Sequence, residues 1–271
     1  MERARPRRWQ PPRLCLSSGK GGVGKTSLAV NLAFALADQG IRVLLVDGDL
    51  GLANVDVLLG LSVTATIREV LAHDLDPRAA LVQVTPGLAV LPAGSGVAEL
   101  ASLPPEDQAH LGRLLEGLGR DFQVVLVDTA AGLGPSVLWF NAWAHHNIVV
   151  VTPDPTSLTD AYALIKVLSR AHRRRRFLIL TNQVEHEAEG QRTFATLSQV
   201  AARFLEVELD YLGSIPADPA VQQGVREQVP FVQAAPKSAA GRALASVGAH
   251  VLSAIGLWHP IVAEDREETG S

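Results

Sequence analysis

Residues 19–26 read Gly-Lys-Gly-Gly-Val-Gly-Lys-Thr and fit the phosphate-binding pattern G-x-x-x-x-G-K-[ST]. Glycines let the backbone N–H groups of such a loop turn inward around phosphate oxygens, and the start of the helix that follows favours an anion. Lys25 would place its charge on the β- and γ-phosphates of a nucleotide, and the Thr26 hydroxyl would bind Mg²⁺. A tight strand–helix turn is the alternative, but two of the four lysines of the chain lie in this segment, which favours phosphate binding. The predicted nucleotide contacts are Gly19, Gly21, Gly22, Val23, Gly24, Lys25, Thr26 and Ser27.

Aspartates follow two apolar runs of the sequence. Asp47 and Asp49 come after residues 43–46, and Asp128 comes after residues 124–127. Because the carboxyl ends of parallel strands meet at one edge of a sheet, all three aspartates would lie near the phosphates. Asp128 is predicted to hold Mg²⁺ through water, and Asp49 would point to the same side as Asp47. Such aspartates also serve as turn and helix-cap residues, but the phosphate loop favours a functional role for all three.

The loops after these strands have the composition of mobile switch segments. Residues 128–134 are small and include Gly132, whose N–H is predicted to donate to a γ-phosphate and to move when that phosphate leaves. Residues 48–56 are predicted to act in the same way.

The elements that must position these groups alternate between strand and helix. Several strand candidates are continuous apolar runs, which is typical of a parallel sheet covered by helices on both faces. The sequence therefore predicts an α/β fold with a doubly wound, mostly parallel sheet. The predicted strands are Leu14–Ser18, Arg42–Asp47, Leu88–Pro92, Phe122–Asp128, Asn147–Thr152, Phe177–Thr181 and Tyr211–Ile215. The predicted helices cover about 26–39, 66–73, 106–119, 136–144, 156–172, 190–205 and 238–257.

Length and composition limit the function classes. The chain has 271 residues, a formal net charge of -4 and one cysteine, Cys15. We predict one domain over residues 14–258, flanked by a basic segment 1–13 and an acidic segment 259–271 that are expected to be disordered. The charge argues against a bulk polyanion binder, and the single cysteine excludes disulfide scaffolds, cysteine zinc modules and single-chain iron–sulfur carriers. No apolar run is long enough to cross a bilayer and the N-terminus does not read as a secretory signal, so the cytoplasm is the expected compartment.

Lys20 is a residue that an ordinary phosphate loop does not require. With it, residues 19–26 resemble the deviant Walker A loop of the MinD/ParA superfamily of ATPases. The resemblance implies ATP and Mg²⁺ as cofactors, a homodimer that forms on ATP binding, and a Lys20 that reaches across the dimer to the other subunit's nucleotide. It also implies that Asp49 positions the attacking water and that Asp47 supports the metal shell. A solvated surface lysine is the alternative for Lys20.

Two places are predicted to contact the base. Asn182 ends the sixth predicted strand, and its amide offers a donor and an acceptor to an adenine edge. Residues 215–218, Ile-Pro-Ala-Asp, resemble an adenine-contacting loop of the same superfamily, with Pro216 and Asp218 as the implied contacts. A plain turn is the alternative at both places.

Longer segments resemble the FlhG/FleN flagellar number regulators within that superfamily. They are residues 47–61 and 151–166, with 215–221 and 236–239 in addition. Those regulators usually have Ala where this chain has Gly48. The resemblance implies slow, dimer-dependent ATP hydrolysis that regulates flagellar number, flagellar placement or flagellar gene expression. It further implies that Asp154 pairs with Lys20 while the loop is unliganded.

The resemblance also suggests partners. These are the flagellar GTPase FlhF, components of the flagellar switch complex or a flagellar transcription activator. The FlhF-stimulating motif Asp-Gln-Ala-x-x-Leu-Arg is not found in the first 13 residues, which argues against direct stimulation of FlhF. Two other functions stay open: a MinD- or ParA-type ATPase for cell division or DNA partition, and a nucleotide-gated scaffold with negligible turnover.

Two surface features bear on membranes and DNA. The last predicted helix has an apolar stripe, but an acidic tail follows it, so we predict a core-packing helix and weak or absent membrane association. The stripe consists of Leu244, Val247, Val251, Ile255 and Trp258. The four arginines at 173–176 fit either a DNA patch or a solvated helix end, and the acidic net charge favours the second and disfavours DNA as a partner. We expect contact with the inner membrane or the cell pole to be transient at most.

Overall fold

The computed structural model describes residues 10–52, 54–73, 75–94 and 104–257. At its centre is an eight-stranded sheet with the order β3-β4-β2-β5-β1-β6-β7-β8. The strands are β1 (Arg13–Ser18), β2 (Val43–Gly48), β3 (Val82–Thr85), β4 (Leu88–Leu91), β5 (Val124–Ala131), β6 (His146–Val151), β7 (Arg176–Val184) and β8 (Glu208–Pro216). Neighbouring strands are parallel except β3 and β4, which form an antiparallel pair at one edge.

Helices cover both faces of this sheet. They are α1 (Lys25–Ala37), α2 (Val55–Leu59), α3 (Ile67–His73), α4 (Pro105–Gly119), α5 (Pro135–Trp143), α6 (Pro155–His172), α7 (Glu187–Phe204), α8 (Pro219–Glu227), α9 (Phe231–Ala234) and α10 (Ala239–Ala254), with a 3₁₀ helix at Pro77–Ala80. Helices α1, α9 and α10 pack on one face, and α3 to α7 pack on the other. The predicted α/β fold with a doubly wound, mostly parallel sheet is confirmed.

The central strands place the aspartates side by side. All apolar side chains of β2 and β5 ahead of the aspartates are fully buried, because helices cover both sides of these strands. The two strands pair in register, so that Asp47 lies opposite Asp128. Both carboxylates therefore emerge at the same edge of the sheet, as the sequence predicts.

Short elements were missed by the sequence patterns. Strand β3 and helices α2, α8 and α9 span four to nine residues each, which is too short to show a clear hydrophobic period. Strand β5 also continues past the predicted end at Asp128 to Ala131, because Ser18 pairs with Ala131 after an irregularity in β1. The prediction of a loop over 128–134 is therefore wrong for its first half.

The fold begins before the predicted boundary at residue 14. Arg13 is the first residue of β1. Its guanidinium lies 4.4 Å from the centre of the Trp143 ring and forms an ion pair of 2.7 Å with Glu116. These contacts tie the residue to α4 and α5. Residues 10–12 of the segment predicted to be disordered are also described, and the carbonyl of Pro12 accepts the N–H of Val125 at 3.0 Å. Residues 1–9 and 259–271 lie outside the described residues.

Arg174, Arg175 and Arg176 of the arginine run contact other parts of the protein, and all but Arg174 of the four arginines are exposed. Arg174 donates to main-chain carbonyls at the end of α5, while Arg175 pairs with Glu206 at 3.3 Å and Arg176 pairs with Asp210 at 2.6 Å. The sequence pointed to stabilisation of a helix C-terminus by cations, and this occurs. The helix that Arg174 stabilises is α5, however, and not the helix that precedes the run.

The last helix packs into the core as predicted. Leu244, Val247 and Val251 are at most 1% exposed and face α1 and the sheet. Ile255 is partly buried against the same cluster, and Trp258 lies outside the described residues. Among the helices described, none is long and apolar enough to span a bilayer.

Candidate nucleotide-binding site

The phosphate loop joins β1 to α1 and depends on its glycines. Gly22 and Gly24 have φ angles of 79° and 83°, in the left-handed region that favours glycine. A Cβ on Gly24 would lie 2.6 Å from the Nδ2 atom of Asn182. By contrast, a Cβ on Gly21 or Gly22 would meet none of the described residues within 4 Å. The loop is thus backed by protein on one side and open on the other, as a cradle for phosphates must be.

Gly19 has a different role. A Cβ at this position would lie 2.2 Å from the main-chain carbon and oxygen of Asp160 in α6. Only glycine therefore allows the loop to touch the backbone of α6. The motif predicts a glycine here, but the reason for it is helix packing, which a sequence pattern cannot reveal.

Gly19→Ala is expected to destabilise the fold. Helix backbone cannot move aside as a flexible side chain can, so we expect a loss of about 3 kcal/mol or more and a melting temperature lower by roughly 6–12 °C. Gly21→Ala is the matched control, since its methyl group would meet no atom within 4 Å. Thermal unfolding followed by circular dichroism measures both. Equal melting temperatures would contradict the packing argument.

Lys25 and Asp128 form a buried ion pair at the floor of the cradle. Lys25 Nζ lies 2.9 Å from Asp128 Oδ1, and the two side chains are 8% and 1% exposed. Burial raises the pKa of Asp128, and the Lys25 ammonium opposes this shift. The second oxygen, Asp128 Oδ2, is buried and accepts no hydrogen bond from the residues described.

The carboxylate of Asp47 is hydrogen-bonded to the main chain of the loop that follows it. Its carboxylate accepts the N–H groups of Asp49 at 3.0 Å, Asn54 at 3.1 Å and Val55 at 3.2 Å. Burial, together with the nearby Asp128, raises the pKa of Asp47 to about 7, and the three N–H donors act against that rise. Asp47 therefore holds the segment that carries Asp49 and starts α2.

Asp49 lies at the mouth of the cradle. It is partly exposed, and its Oδ1 accepts the N–H of Leu52 at 3.0 Å. Together with Asn54 and Ala131 it lines a cavity of about 310 Å³ whose remaining walls are Ser18, Lys20 and residues 21–27 of the loop. Sequence reasoning missed Asn54 and Ser18, which carry no motif of their own.

The ammonium group of Lys20, a wall residue of this cavity, is bound by the start of α6. Its Nζ donates to Asp154 Oδ2 at 2.7 Å and to the Thr156 hydroxyl at 2.6 Å. The same hydrogen bond from Lys20, with the N–H of Thr156, lowers the pKa of Asp154 to about 2. The predicted pairing of Asp154 with Lys20 is confirmed. Thr156 was not predicted, although it follows Asp154 at the start of a helix, where capping residues gather.

The N–H group of Gly132 is already hydrogen-bonded within the protein. Its φ angle of 90° suits glycine, and its N–H donates to the carbonyl of Ser18 at 2.9 Å. The contact with a γ-phosphate stays a prediction. It would require this bond at the end of β5 to break.

The two predicted base contacts meet in one cavity. Asn182, Pro216 and Asp218 line a cleft of about 620 Å³ beside Gly24 and Ser27. Asn182 Nδ2 donates to the Val23 carbonyl at 2.7 Å, so this side chain also supports the loop from below.

Both carboxylate oxygens of Asp218 are hydrogen-bonded within the protein. Its two carboxylate oxygens accept the N–H of Ala220 at 2.9 Å and that of Ala240 at 3.0 Å, which caps α8 and ties it to α10. These bonds hold the pKa of Asp218 below its usual range. Its contact with adenine stays a prediction, and within the protein it acts as the helix cap that the alternative interpretation describes.

These groups fit Mg-ATP. Asp128 Oδ2 is a buried oxygen that lacks a donor in the described part of the chain, and Thr26 follows Lys25 at the start of α1. The open side of the glycine loop leaves room for phosphates. Mg²⁺ in such sites takes one or two protein oxygens and completes its shell with phosphates and water. Thr26 and Asp128 would hold the metal, with Lys25 on the phosphates.

Comparisons with known proteins agree with this site. The family described as ParA: NUBPL iron-transfer P-loop NTPase matches residues 12–252. The antiactivator FleN of Pseudomonas aeruginosa is 44% identical over 88% of this chain and 85% of its own length. The flagellum site-determining protein YlxH of Helicobacter pylori is 33% identical over 79% of this chain and 73% of its own.

Solved structures agree as well. The septum site-determining protein MinD of Pyrococcus horikoshii, complexed with Mg-ADP, superposes with a TM-score of 0.75 at 26% identity and covers 93% of this chain and 100% of its own. Cell division ATPase MinD of Pyrococcus furiosus gives a TM-score of 0.73 at 27% identity, over 90% of this chain and 99% of its own. Cys15, the single cysteine, is buried in β1, so this chain offers no cysteine pair for iron. With residues 12–252 matched and the phosphate loop between β1 and α1, the chain belongs to the ParA/MinD family of ATP-binding P-loop NTPases.

Proposed function

We propose that this protein is a Mg-ATP-dependent switch that dimerises when ATP binds, hydrolyses ATP slowly, and regulates flagellar number, flagellar placement or flagellar gene expression. The similarity to FleN and YlxH over most of each chain supports the flagellar role. The geometry of the phosphate loop supports the ATPase. FlhF, switch-complex components or a transcription activator are the proposed partners, and the cytoplasm, with transient contact at the membrane or the cell pole, is the proposed location.

Each side chain of the phosphate site has a separate role in the proposed reaction. Lys25 would bind the β- and γ-phosphates, and Asp128 and Thr26 would hold Mg²⁺. Bound Mg²⁺ supplies neutralising charge on the phosphate oxygens. Asp49 orients a water molecule toward the γ-phosphate position. Asp47 supports this arrangement indirectly, since its three N–H bonds hold the segment that carries Asp49.

The observation that carries the proposal is the position of Lys20. Its ammonium is bound to Asp154 and Thr156 rather than to any group inside its own cradle. Both side chains of the Lys20–Asp154 pair are about 40% exposed, and exposed pairs contribute little to stability. Lys20 is therefore available to a second subunit once that subunit presents a phosphate group.

Lys20→Ala is expected to abolish ATP-dependent dimerisation while leaving nucleotide binding intact. Its ammonium binds Asp154 and Thr156, while Lys25 at the floor of the cradle is untouched, so nucleotide binding should remain. Size-exclusion chromatography with light scattering in Mg-ATP measures the dimer, and titration with a fluorescent ATP analogue measures binding. Lys237→Ala, at an exposed lysine, is the control. A dimer that persists in Lys20→Ala would refute the cross-subunit role.

A division or partition ATPase is the second candidate, because MinD structures superpose over the whole domain. The partition role and the division role differ in what the ATP-bound dimer binds. An ATP dimer that binds DNA would favour the partition role, and strong ATP-dependent binding to liposomes would favour the division role. The core-packed α10 leads us to expect no strong binding to liposomes, and the acidic net charge leads us to expect no binding to DNA.

A further inference from the structure

Helix α2 is held at both of its ends. At its start, Asp47 accepts the N–H groups of Asn54 and Val55. At its end, Nε2 of Gln228 donates to the main-chain oxygen of Val57 at 2.6 Å. Asn54 lines the phosphate cavity, so a shift of α2 reaches the site where the phosphates bind.

Helix α8 connects Gln228 to the base cavity. Its first turn lies in that cavity, where Pro219, Val221 and Gln222 are wall residues. Gln228 follows its last residue, Glu227. The helix has nine residues and spans about 14 Å at 1.5 Å per residue. One short, rigid element therefore touches the base cavity at one end and α2 at the other.

The side chain of Gln228 reaches α2 from the C-cap position of α8. Gln228 has a φ angle of 56°, which residues other than glycine seldom adopt. Its amide also packs on Gly60, where a Cβ would lie 3.1 Å from Gln228 Oε1. In the described ranges it forms the only side-chain hydrogen bond between the end of α8 and α2. This left-handed φ angle ends α8, since the N–H of Gln228 donates to the Gly224 carbonyl.

We propose that Gln228 is a positioning residue that transmits occupation of the base cavity to α2 and from there to Asn54 and the phosphate cavity. This inference rests on the proposed binding of ATP. A nucleotide whose base fills the cavity then orders α2 more than a bare triphosphate does. The base thereby contributes to the switch through Gln228, and not only to affinity.

Gln228→Asn removes the hydrogen bond to Val57 and keeps the left-handed backbone conformation of residue 228. Asparagine tolerates the left-handed region well but is one methylene too short to reach Val57. Gln228→Gly is a second variant that adopts this φ without strain and is expected to fold. Gln223→Asn, on the same helix, is the matched control, since the Gln223 amide donates to Glu227 and not to α2 in the described part of the chain.

The readout is hydrogen–deuterium exchange of residues 54–61 in Mg-ATP and in Mg-tripolyphosphate, each at a concentration that fully protects the amides of residues 19–27. In the wild type and in Gln223→Asn, ATP is expected to slow exchange in α2 roughly two- to tenfold more than tripolyphosphate, the range that one net hydrogen bond gives. In Gln228→Asn and Gln228→Gly this difference is expected to vanish while ATP affinity is kept. A role confined to stability would loosen α2 equally with both ligands.

The outcomes separate this inference from the proposed function. If the variants bind ATP and keep the difference between ATP and tripolyphosphate, the relay through Gln228 is overturned and the ATPase proposal stands. A wild type in which the two ligands protect α2 equally would overturn the relay as well. If the wild type binds no Mg-ATP in equilibrium dialysis, both proposals fall.

Discussion

Lys25→Ala is expected to lower the affinity for Mg-ATP by at least about 30-fold, since truncating one partner of a buried charge pair costs about 2–5 kcal/mol. Lys25 is the cation at the floor of the cradle, and its ammonium lies 2.9 Å from a carboxylate that is 1% exposed. Isothermal titration calorimetry with Mg-ATP measures the change. Lys237→Ala removes an exposed lysine and should bind as the wild type does.

The same substitution leaves Asp128 buried without its cation. We expect the free energy of unfolding to fall by about 3–5 kcal/mol. Lys25→Met combined with Asp128→Asn removes both charges and should recover most of that stability without recovering ATP binding. Urea unfolding of the two variants tests this. If the double variant regained ATP affinity, Lys25 would be a structural residue and the phosphate role would be wrong.

Asp49→Ala is expected to reduce ATP turnover by roughly 10²- to 10³-fold, in the range that a positioned proton acceptor contributes. Binding of Mg-ATP should remain, because Asp49 lies at the mouth of the cavity while Lys25 and Thr26 belong to the loop itself. Phosphate release under single-turnover conditions measures the rate. The alanine also removes the hydrogen bond from the N–H of Leu52, so Asp49→Asn, whose side-chain oxygen still accepts that N–H, is a second variant. An equal loss of turnover in Asp49→Asn would assign the effect to the missing charge.

Asp56→Ala provides the control within the same segment, at a partly exposed aspartate in the first turn of α2. It should hydrolyse ATP at close to the wild-type rate. If the wild type hydrolyses ATP no faster than Asp49→Ala, the protein is a nucleotide-gated scaffold. The loss of dimerisation expected for Lys20→Ala would then show that the scaffold assembles on ATP binding without hydrolysis.

Groups that depend on local pattern could be predicted from the sequence. The phosphate loop follows from residue types at fixed offsets, and Asp128 follows from its place at the end of an apolar run. The side-by-side position of Asp47 and Asp128 required only that both strands be parallel, which the continuous apolar runs indicate. Local sequence sufficed because neighbouring residues determine these features.

Groups that depend on the path of a loop could not be predicted. Asp47 and Asp49 look equivalent in the sequence, yet the N–H groups of residues 54 and 55 turn back onto Asp47 alone. Arg174 reaches α5 across 33 residues, and no periodicity records that contact. The end of β5 depends on an irregularity in its neighbour β1. Each case is settled by tertiary packing rather than by propensity.

The tight approach of Gly19 to the backbone of α6 has a kinetic consequence. Loop and helix cannot slide past each other, so Lys20 leaves Asp154 by rotation about its own side-chain bonds, an event of picoseconds to nanoseconds for exposed residues. The release of Lys20 from Asp154 therefore adds no slow step of its own after ATP arrives. The lag before assembly should be governed by how often two loaded molecules collide, and it should shorten as the cell makes more of the protein.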